Sequence, residues 1–422
     1  MRRILALSFF GAFLLAQAAG AAVPPESRTL FHHAESAWAV GTIRLSKPLP
    51  FREGKILAFP SEITDLLWAP DGTKPRSLML VYEVPSSEKG KPSFQQGDEI
   101  FAPIQLLPQH SYWKDNLPNT RRHAIAGGKR YAFRGEEAVE VAKLLAPYLA
   151  ATEMKGMERW HRTLESVANA LGSTIAVVRE DAVRYFAVFP TLGRDFDDKA
   201  LPPITSYLSG DAPAEQKAML VDALASAKVT AITPTLTELA KRDDATGAVA
   251  LRGLDRLGQG APTDRLLVLS RSSSVEMQAY AAETLGSRSA TDAAALERVT
   301  EILAASGTNP AVVAAVAKGL GQAGGDKVVA VLAAAVARGD STSRPAAEAL
   351  AGIGGPTAES ALASILREKQ GEAAMAAAAG LGRMASCAQC AVVLHEQHEA
   401  HADPAVRQFI GVLLGVPLVH KH

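Results

Sequence analysis

Apolar residues follow two different spacings along the chain, and the change comes near residue 160. Beyond it they recur every three or four positions, which predicts amphipathic helices, and successive runs end at a Leu-Gly or Ile-Gly step. The final run shows the whole pattern. Asp403 can cap a helix, Pro404 suits its first turn, and Gly415 permits the left-handed turn that ends it.

The glycines that end these helical runs are regularly spaced. Successive stops lie 28, 35, 33, 28 and 33 residues apart, and such a step fits one two-helix unit. A single helix pair cannot bury its apolar face, so the units must stack. The spacing therefore predicts an all-α solenoid of about eight repeats over residues 161–422. The glycines counted are Gly258, Gly286, Gly321, Gly354, Gly382 and Gly415.

Residues 22–135 have frequent prolines and short apolar runs between turn residues, a pattern that predicts β structure. Five or six short strands fit a small barrel or a sandwich, and a barrel of the oligonucleotide/oligosaccharide-binding type is one alternative. Helical spacing returns over residues 136–160, which we interpret as a joint. The chain is therefore predicted to be an α+β multidomain protein. The candidate strands are Trp38–Leu45, Lys55–Phe59, Ser77–Val84, Glu99–Leu107 and Arg130–Phe133.

The first 21 residues have the composition of a secretory signal peptide. Two arginines precede an apolar core from Ile4 to Ala16, and the segment ends in the small residues Ala19-Gly20-Ala21. A transmembrane anchor is the alternative, but the apolar run is shorter than the roughly 20 residues that span a bilayer. We therefore expect an exported protein, periplasmic or secreted, with no integral membrane segment after signal removal.

The charge balance bears on the class of partner. Lys plus Arg number 44, as do Asp plus Glu, so the chain has no basic excess with which to bind phosphate backbones. Nucleic acid is therefore not expected as a partner. A hydrophobic content of 48% is ample for folded cores in a chain of 422 residues.

The final repeat resembles a known family. Asp403, Val406, Arg407 and Gly415 match the Asp-x-x-Val-Arg helix of HEAT-like repeats, in particular the short bacterial type found in phycobilisome lyases. The likeness covers about residues 160–415, mostly through the shared hydrophobic and glycine skeleton. It implies a right-handed α-solenoid with a concave protein-binding face. It does not imply lyase activity, because such repeats serve many proteins as scaffolding.

Both cysteines and half of the ten histidines lie in the last 36 residues. Cys387 and Cys390 together with His395, His398 and His401 form a candidate metal site for zinc or another transition metal. On one continuous helix, however, the rise of about 1.5 Å per residue puts the sulfurs more than 10 Å from His398. A local disulfide between Cys387 and Cys390, buried thiols and a redox pair are the alternatives.

The same segment also resembles an iron enzyme. His395-Glu396 and His398-Glu399 are similar to the His-Glu pairs of deoxyhypusine hydroxylase, which is built from HEAT-like repeats. That enzyme distributes its pairs over separate repeats. Both pairs here fall in one helix, and no histidine occurs from residue 162 to 394, so the resemblance does not extend to the iron site.

From these patterns we expect an exported, non-enzymatic scaffold that binds one or more protein partners on the concave face of its repeats. Neither a catalytic residue nor a cofactor is predicted. The alternative is a metal-binding or metal-dependent protein whose site lies between Cys387 and His401.

Overall fold

A computed structural model describes residues 27–88, 92–108, 122–189, 196–384 and 387–415 of the chain. The predicted signal peptide lies outside the described residues. The chain divides into two compact units, Met1–Thr235 and Leu236–His422. No helix among the described residues is long and apolar enough to cross a membrane.

The β-domain is a closed barrel, which confirms the predicted small barrel rather than the sandwich. Strand β1 pairs with both β3 and β5, so the order β1-β5-β6-β4-β3 returns to its start, and β2 extends the edge of β3. Five strands in the closed order agree with the oligonucleotide/oligosaccharide-binding type of barrel. The strands are β1 (Ala39–Leu45), β2 (Leu49–Phe51), β3 (Ile56–Trp68), β4 (Ser77–Glu83), β5 (Glu99–Leu106) and β6 (Arg122–Ile125).

Two features of the strands make this closure possible. The long strand β3 pairs with β4 along its first half and with β1 along its second half, so it contributes to both sides of the barrel. A register shift between Val40 and Gly41 lets β1 bend against β3. A side chain at position 41 would collide with the backbone of Asp65, so glycine permits this close approach. The sequence predicted a last strand at Arg130–Phe133. The chain there forms a short 3-10 turn, Lys129–Tyr131, followed by a single antiparallel bridge from Phe133 to Phe101, and the last strand, β6, precedes it.

The first unit also contains helices that share a core with the barrel. Helices α1 and α2 pack against β5, whose central residues are buried on both faces. The division between the units, after Thr235, falls inside the helical region. The helices of this unit are α1 (Leu30–Glu35), α2 (Gly135–Thr152), α3 (Gly156–Ala170), α4 (Ala176–Val188), α5 (Leu201–Ser209) and α6 (Ala214–Ser226).

The second unit is an array of helix pairs, entered through α7 (Thr233–Leu239) at the division between the units. Second helices of successive pairs pack on one another and first helices do the same, so the pairs form two layers. The first helices are α9 (Thr263–Leu269), α11 (Ala293–Ala304), α13 (Asp326–Ala337), α15 (Gly355–Glu368) and α17 (Ala388–Ala400). The second helices are α8 (Ala245–Arg256), α10 (Val275–Arg288), α12 (Pro310–Ala323), α14 (Ser343–Ile353), α16 (Gly371–Arg383) and α18 (Pro404–Leu414).

The predicted ends of the last helix are confirmed. The Oδ1 of Asp403 accepts a hydrogen bond of 2.8 Å from the backbone N–H of Ala405, and Pro404 takes the first position of α18. Gly415 ends the helix in the left-handed conformation, with φ +72°. The local sequence signals at this repeat therefore correspond directly to its structure.

Candidate interaction face and cysteine–histidine cluster

The second helices come closest together at a pair of glycines. A Cβ atom at Gly286 of α10 would lie 2.9 Å from the backbone nitrogen of Leu320 and 3.0 Å from the Cα of Gly319. A Cβ atom at Gly319 would collide with the carbonyl oxygen of Glu283. Helices α10 and α12 therefore meet backbone to backbone, which brings the charged side chains beside these glycines within reach of each other.

One acidic side chain links three successive second helices. The carboxylate of Glu283 on α10 lies 2.6 Å from the Nζ of Lys318 on α12 and 3.8 Å from an Nη of Arg252 on α8. Glu283 is mostly covered, whereas the two bases are about half exposed or more. The three side chains form a cross-helix ion-pair chain with its basic ends in solvent.

A second chain of the same kind lies further along. The Oε1 of Glu348 on α14 is 2.8 Å from an Nη of Arg383 on α16 and 3.5 Å from the Nε of Arg344 on its own helix. We call the six side chains of both chains the ion-pair ladder. Its members are Arg252, Glu283, Lys318, Arg344, Glu348 and Arg383.

The ladder has the properties of a recognition surface. Its four bases and two carboxylates leave a formal excess of two positive charges. Each exposed ion pair contributes only about 0–1 kcal/mol to the stability of the fold. A base of the ladder can therefore leave its present carboxylate and pair with a carboxylate of a partner protein at little cost in stability. Sequence reasoning missed these residues. A signal was present, because Glu283 and Lys318 each precede a Leu-Gly step by the same interval, although the structure places both of these glycines inside their helices and not at the ends.

The two cysteines are joined in a disulfide at the start of α17. Cys387 is the N-cap residue, and its Sγ accepts a hydrogen bond of 2.9 Å from the backbone N–H of Cys390. Cys387 is half-buried, whereas Cys390 is buried beside Met384. The pair thus has one sulfur near solvent and one inside the fold.

The three predicted histidine ligands do not meet these sulfurs. His395 is exposed on α17. The ring of His398 packs on Gly411, and its Nδ1 lies 2.9 Å from the carbonyl oxygen of Arg407, to which it donates. His398 follows Cys390 by eight residues on the same helix, a rise of about 12 Å. The chain does not fold back between them, so the helix itself keeps the two groups apart.

His401 holds the final repeat together. Its imidazole is 4% exposed, and its Nδ1 accepts from the backbone N–H of Asp403 at 3.0 Å. That bond places the ring proton on Nε2, which lies 3.0 Å from the carbonyl oxygen of Leu366 and 3.1 Å from that of Lys369. Both ring nitrogens are thus used by the backbone, so His401 has a structural role here.

Asp403 also links the final repeat to the helix before it. Besides capping α18, its Oδ2 accepts a hydrogen bond of 2.9 Å from the backbone N–H of Gly371 at the start of α16. These amide donors, from Gly371 first and then Ala405, hold the pKa of the Asp403 carboxyl below its usual range. One side chain therefore fixes the starts of two neighbouring second helices.

A different residue accompanies the sulfurs. Ligand atoms of Glu359, Cys387 and Cys390 lie within 4.8 Å of one another, and this is the one such group of three among the described residues. None of the three histidines belongs to it. Glu359 comes from α15, the neighbouring first helix, and the sequence offered no spacing signal for that juxtaposition.

The comparisons with known proteins support the fold. Residues 262–351, which include helices α9 to α14 up to Ala351, match the family model of HEAT repeats. The helical array is therefore HEAT-like, as the resemblance of its last repeat predicted. A search of curated proteins gives no match.

Solved structures also show similarity. Human deoxyhypusine hydroxylase in complex with glycerol is 15% identical, with a TM-score of 0.26, over 61% of this chain and 96% of that one. The crystal structure of an engineered protein is 18% identical, with a TM-score of 0.29, over 67% of this chain and 85% of that one. At these values neither similarity bears on what the chain binds or catalyses.

Proposed function

We propose that this protein is an exported, non-enzymatic scaffold that binds a partner protein on the ladder side of its second helices. The observation that carries the proposal is the ion-pair ladder, which places charged side chains from five successive second helices, α8 to α16, in two chains of ion pairs. HEAT-like arrays present extended surfaces of this kind, because each repeat contacts only its neighbours.

The charges of the ladder indicate the chemistry of the partner. Lys318 and Arg344 extend into solvent, and Arg383 is more than half exposed. Glu283 and Glu348 already have basic partners on the array. The groups left available are therefore mainly basic, which favours a partner that supplies carboxylates between its apolar contacts.

Two features support export. The first 21 residues have the charge and hydrophobicity pattern of a signal peptide. The Cys387–Cys390 disulfide is a bond that oxidising compartments maintain and the cytosol usually reduces. The mass of the protein recovered from fractionated cells tests this part: a mature chain that begins near Ala22, in the periplasm or medium, supports export. A full-length chain in the cytosol contradicts it.

The binding proposal is tested with the full mature chain as bait for proteins of its own compartment. The double substitution Lys318→Glu and Arg383→Glu reverses two ladder charges. Each reversed charge should remove about 1 kcal/mol of binding free energy. We therefore expect the double substitution to weaken partner binding at least about tenfold. Raising the salt concentration should weaken binding by the unaltered chain as well.

Lys327→Glu is the matched control, since Lys327 is exposed on α13 in the layer of first helices. It reverses one positive charge away from the ladder, as each of the two ladder substitutions does, and should leave binding unchanged. Equal losses from both substitutions would refute the ladder as the binding surface. Recovery of no partner by the folded chain would refute the scaffold function itself.

A further inference from the structure

The carboxylate of Glu359 lies beside the disulfide at the packing of two first helices. Helices α15 and α17 are neighbours in their layer, and Glu359 stands in the second turn of α15. Cys387 and Cys390 occupy the N-cap and first turn of α17. Their three ligand atoms fall within 4.8 Å of one another, although the residues come from different repeats.

We propose that reduction of the Cys387–Cys390 disulfide creates a zinc site made of the two thiolates and the Glu359 carboxylate. This inference goes beyond the proposed scaffold function and does not depend on it. The Cys-x-x-Cys spacing is that of half a structural zinc site, and zinc accepts carboxylate oxygen together with sulfur. Cys387 and Glu359 are both half-buried, so water can supply the fourth ligand.

The distances suit a tetrahedral ion. Zinc lies about 2.3 Å from a thiolate and about 2.0–2.2 Å from a carboxylate oxygen, so its ligand atoms are about 3.3–3.8 Å apart. After reduction the two sulfurs, which are bonded to each other in the disulfide, must move apart to about 3.8 Å, whereas the carboxylate oxygen, within 4.8 Å of both, needs to approach by only about 1 Å. The Cα atoms of the two cysteines are 5.3 Å apart, so the ligands can reach it by side-chain rotation.

The backbone already supports the ligand form of Cys387. The N–H of Cys390 donates to the Sγ of Cys387, and the same bond would stabilise a metal-bound thiolate and orient it. In the disulfide, neither sulfur carries the negative charge that zinc ligands need. The oxidised pair should therefore have little affinity for zinc.

The reaction needs a reductant, which in a cell would be a dithiol of another protein. The dithiol gives two electrons and two protons and becomes a disulfide, while the S–S bond of Cys387–Cys390 breaks to give two thiols. Zinc then displaces both thiol protons and binds the two thiolates. A disulfide of another protein reverses the sequence: it accepts two electrons from the zinc-bound thiolates and two protons from water and becomes a dithiol, while the Cys387–Cys390 bond forms again and the ion is released.

The test is titration of the untagged full mature chain with zinc chloride, before and after reduction. A phosphine serves as reductant, because it takes oxygen from water to form its oxide and does not compete for zinc as dithiols do. We expect one equivalent of zinc bound by the reduced chain and less than about a tenth by the oxidised chain at the same concentration. The oxidised chain carries the same histidines, so it measures their contribution.

Substitutions then identify the ligands. Glu359→Gln should weaken zinc binding by the reduced chain at least about tenfold, and Cys390→Ser should abolish it. Glu368→Gln is the matched control on the same helix, and it should bind zinc as the unaltered chain does. Far-ultraviolet circular dichroism of each reduced variant separates loss of a ligand from loss of the fold.

Three results would overturn the proposal. They are equal zinc binding by the oxidised and reduced chains, no binding by a reduced chain that remains folded, and unchanged affinity in Glu359→Gln. Cobalt in place of zinc gives a second readout, since a thiolate-to-cobalt charge-transfer absorption must appear only after reduction.

Discussion

The hydroxyl of Tyr131 donates a 2.6 Å hydrogen bond to the Oδ2 of Asp181, and both side chains are buried. The same oxygen accepts from the backbone N–H of Leu30 at 2.7 Å, and an Nη of Arg130 lies 2.9 Å from Oδ1. Asp181 of α4 therefore joins α1 and the turn that follows the barrel. This one carboxylate explains much of why the barrel and the first helices form a single compact unit.

Asp181→Asn should destabilise the first unit by about 3 kcal/mol, because the amide lacks the charge and turns a donor group toward other donors. Urea denaturation measures the free energy of unfolding. Asp198→Asn is the control, since Asp198 is exposed, and it should change that free energy by less than about 0.5 kcal/mol. Equal effects of the two substitutions would show that the buried network adds nothing.

The stability of the first unit should fall as the pH drops from about 6.5 to about 4. Burial, then the neighbouring charges of His33 and Arg28, lower the pKa of His32 to about 4 from an ordinary value of 6.5. Because the pKa is lower in the folded state, the unfolded state takes up the proton first as the pH falls. The full free energy of unfolding is therefore present above pH 6.5 and decreases as the pH falls toward 4. The loss should approach about 2 kcal/mol, allowing for partial exposure.

Unfolding in urea at several pH values checks this dependence. His32→Gln should flatten it, because the neutral Nδ1 that accepts from the N–H of Thr29 no longer titrates. A slope that persists in full after His32→Gln would assign the effect to other groups.

Gly319→Ala should destabilise the second unit by about 2 kcal/mol, because the added Cβ atom collides with the Glu283 carbonyl and forces α10 and α12 apart. Gly321→Ala is the control two residues along the same helix, where the new Cβ atom would meet Ala349 no closer than 3.5 Å. That substitution should be neutral or stabilising by up to about 1 kcal/mol. Thermal and urea unfolding of both variants measure the two changes in stability. Similar losses of stability in the two variants would contradict the close approach of the helices as the cause.

His401→Ala should cost about 2–3 kcal/mol, since it leaves the carbonyl oxygens of Leu366 and Lys369 without their buried donor. His395→Ala, on the exposed side of α17, should change stability by less than about 0.5 kcal/mol. Amide hydrogen exchange over residues 388–414 should rise only in the first variant. Unchanged protection there would show that His401 does not hold the last repeat.

Much of the repeat architecture follows from local signals. The cap at Asp403, the proline at position 404 and the glycine at 415 act within one turn of chain, and the structure reproduces each. The end of the barrel was harder to predict from the sequence, since its last strand lies before Gly127 and not at Arg130–Phe133. A short strand depends on its partners, and β6 is defined by pairing with β4 and β5.

The sequence by itself determined the order of the parts: an apolar first segment, a β-domain, and helix pairs marked by a recurring glycine, which ends the helix at Gly354 and Gly415 but lies inside it at Gly286 and Gly321. It also identified the cysteines and histidines near the end of the chain. Only the tertiary structure decided how these residues meet. It placed Glu359 beside the sulfurs, turned both nitrogens of His401 to the backbone, and aligned Glu283 with Lys318 through two glycines. Helix spacing is a local property of the chain, whereas these contacts depend on how separate repeats stack, which no single segment encodes.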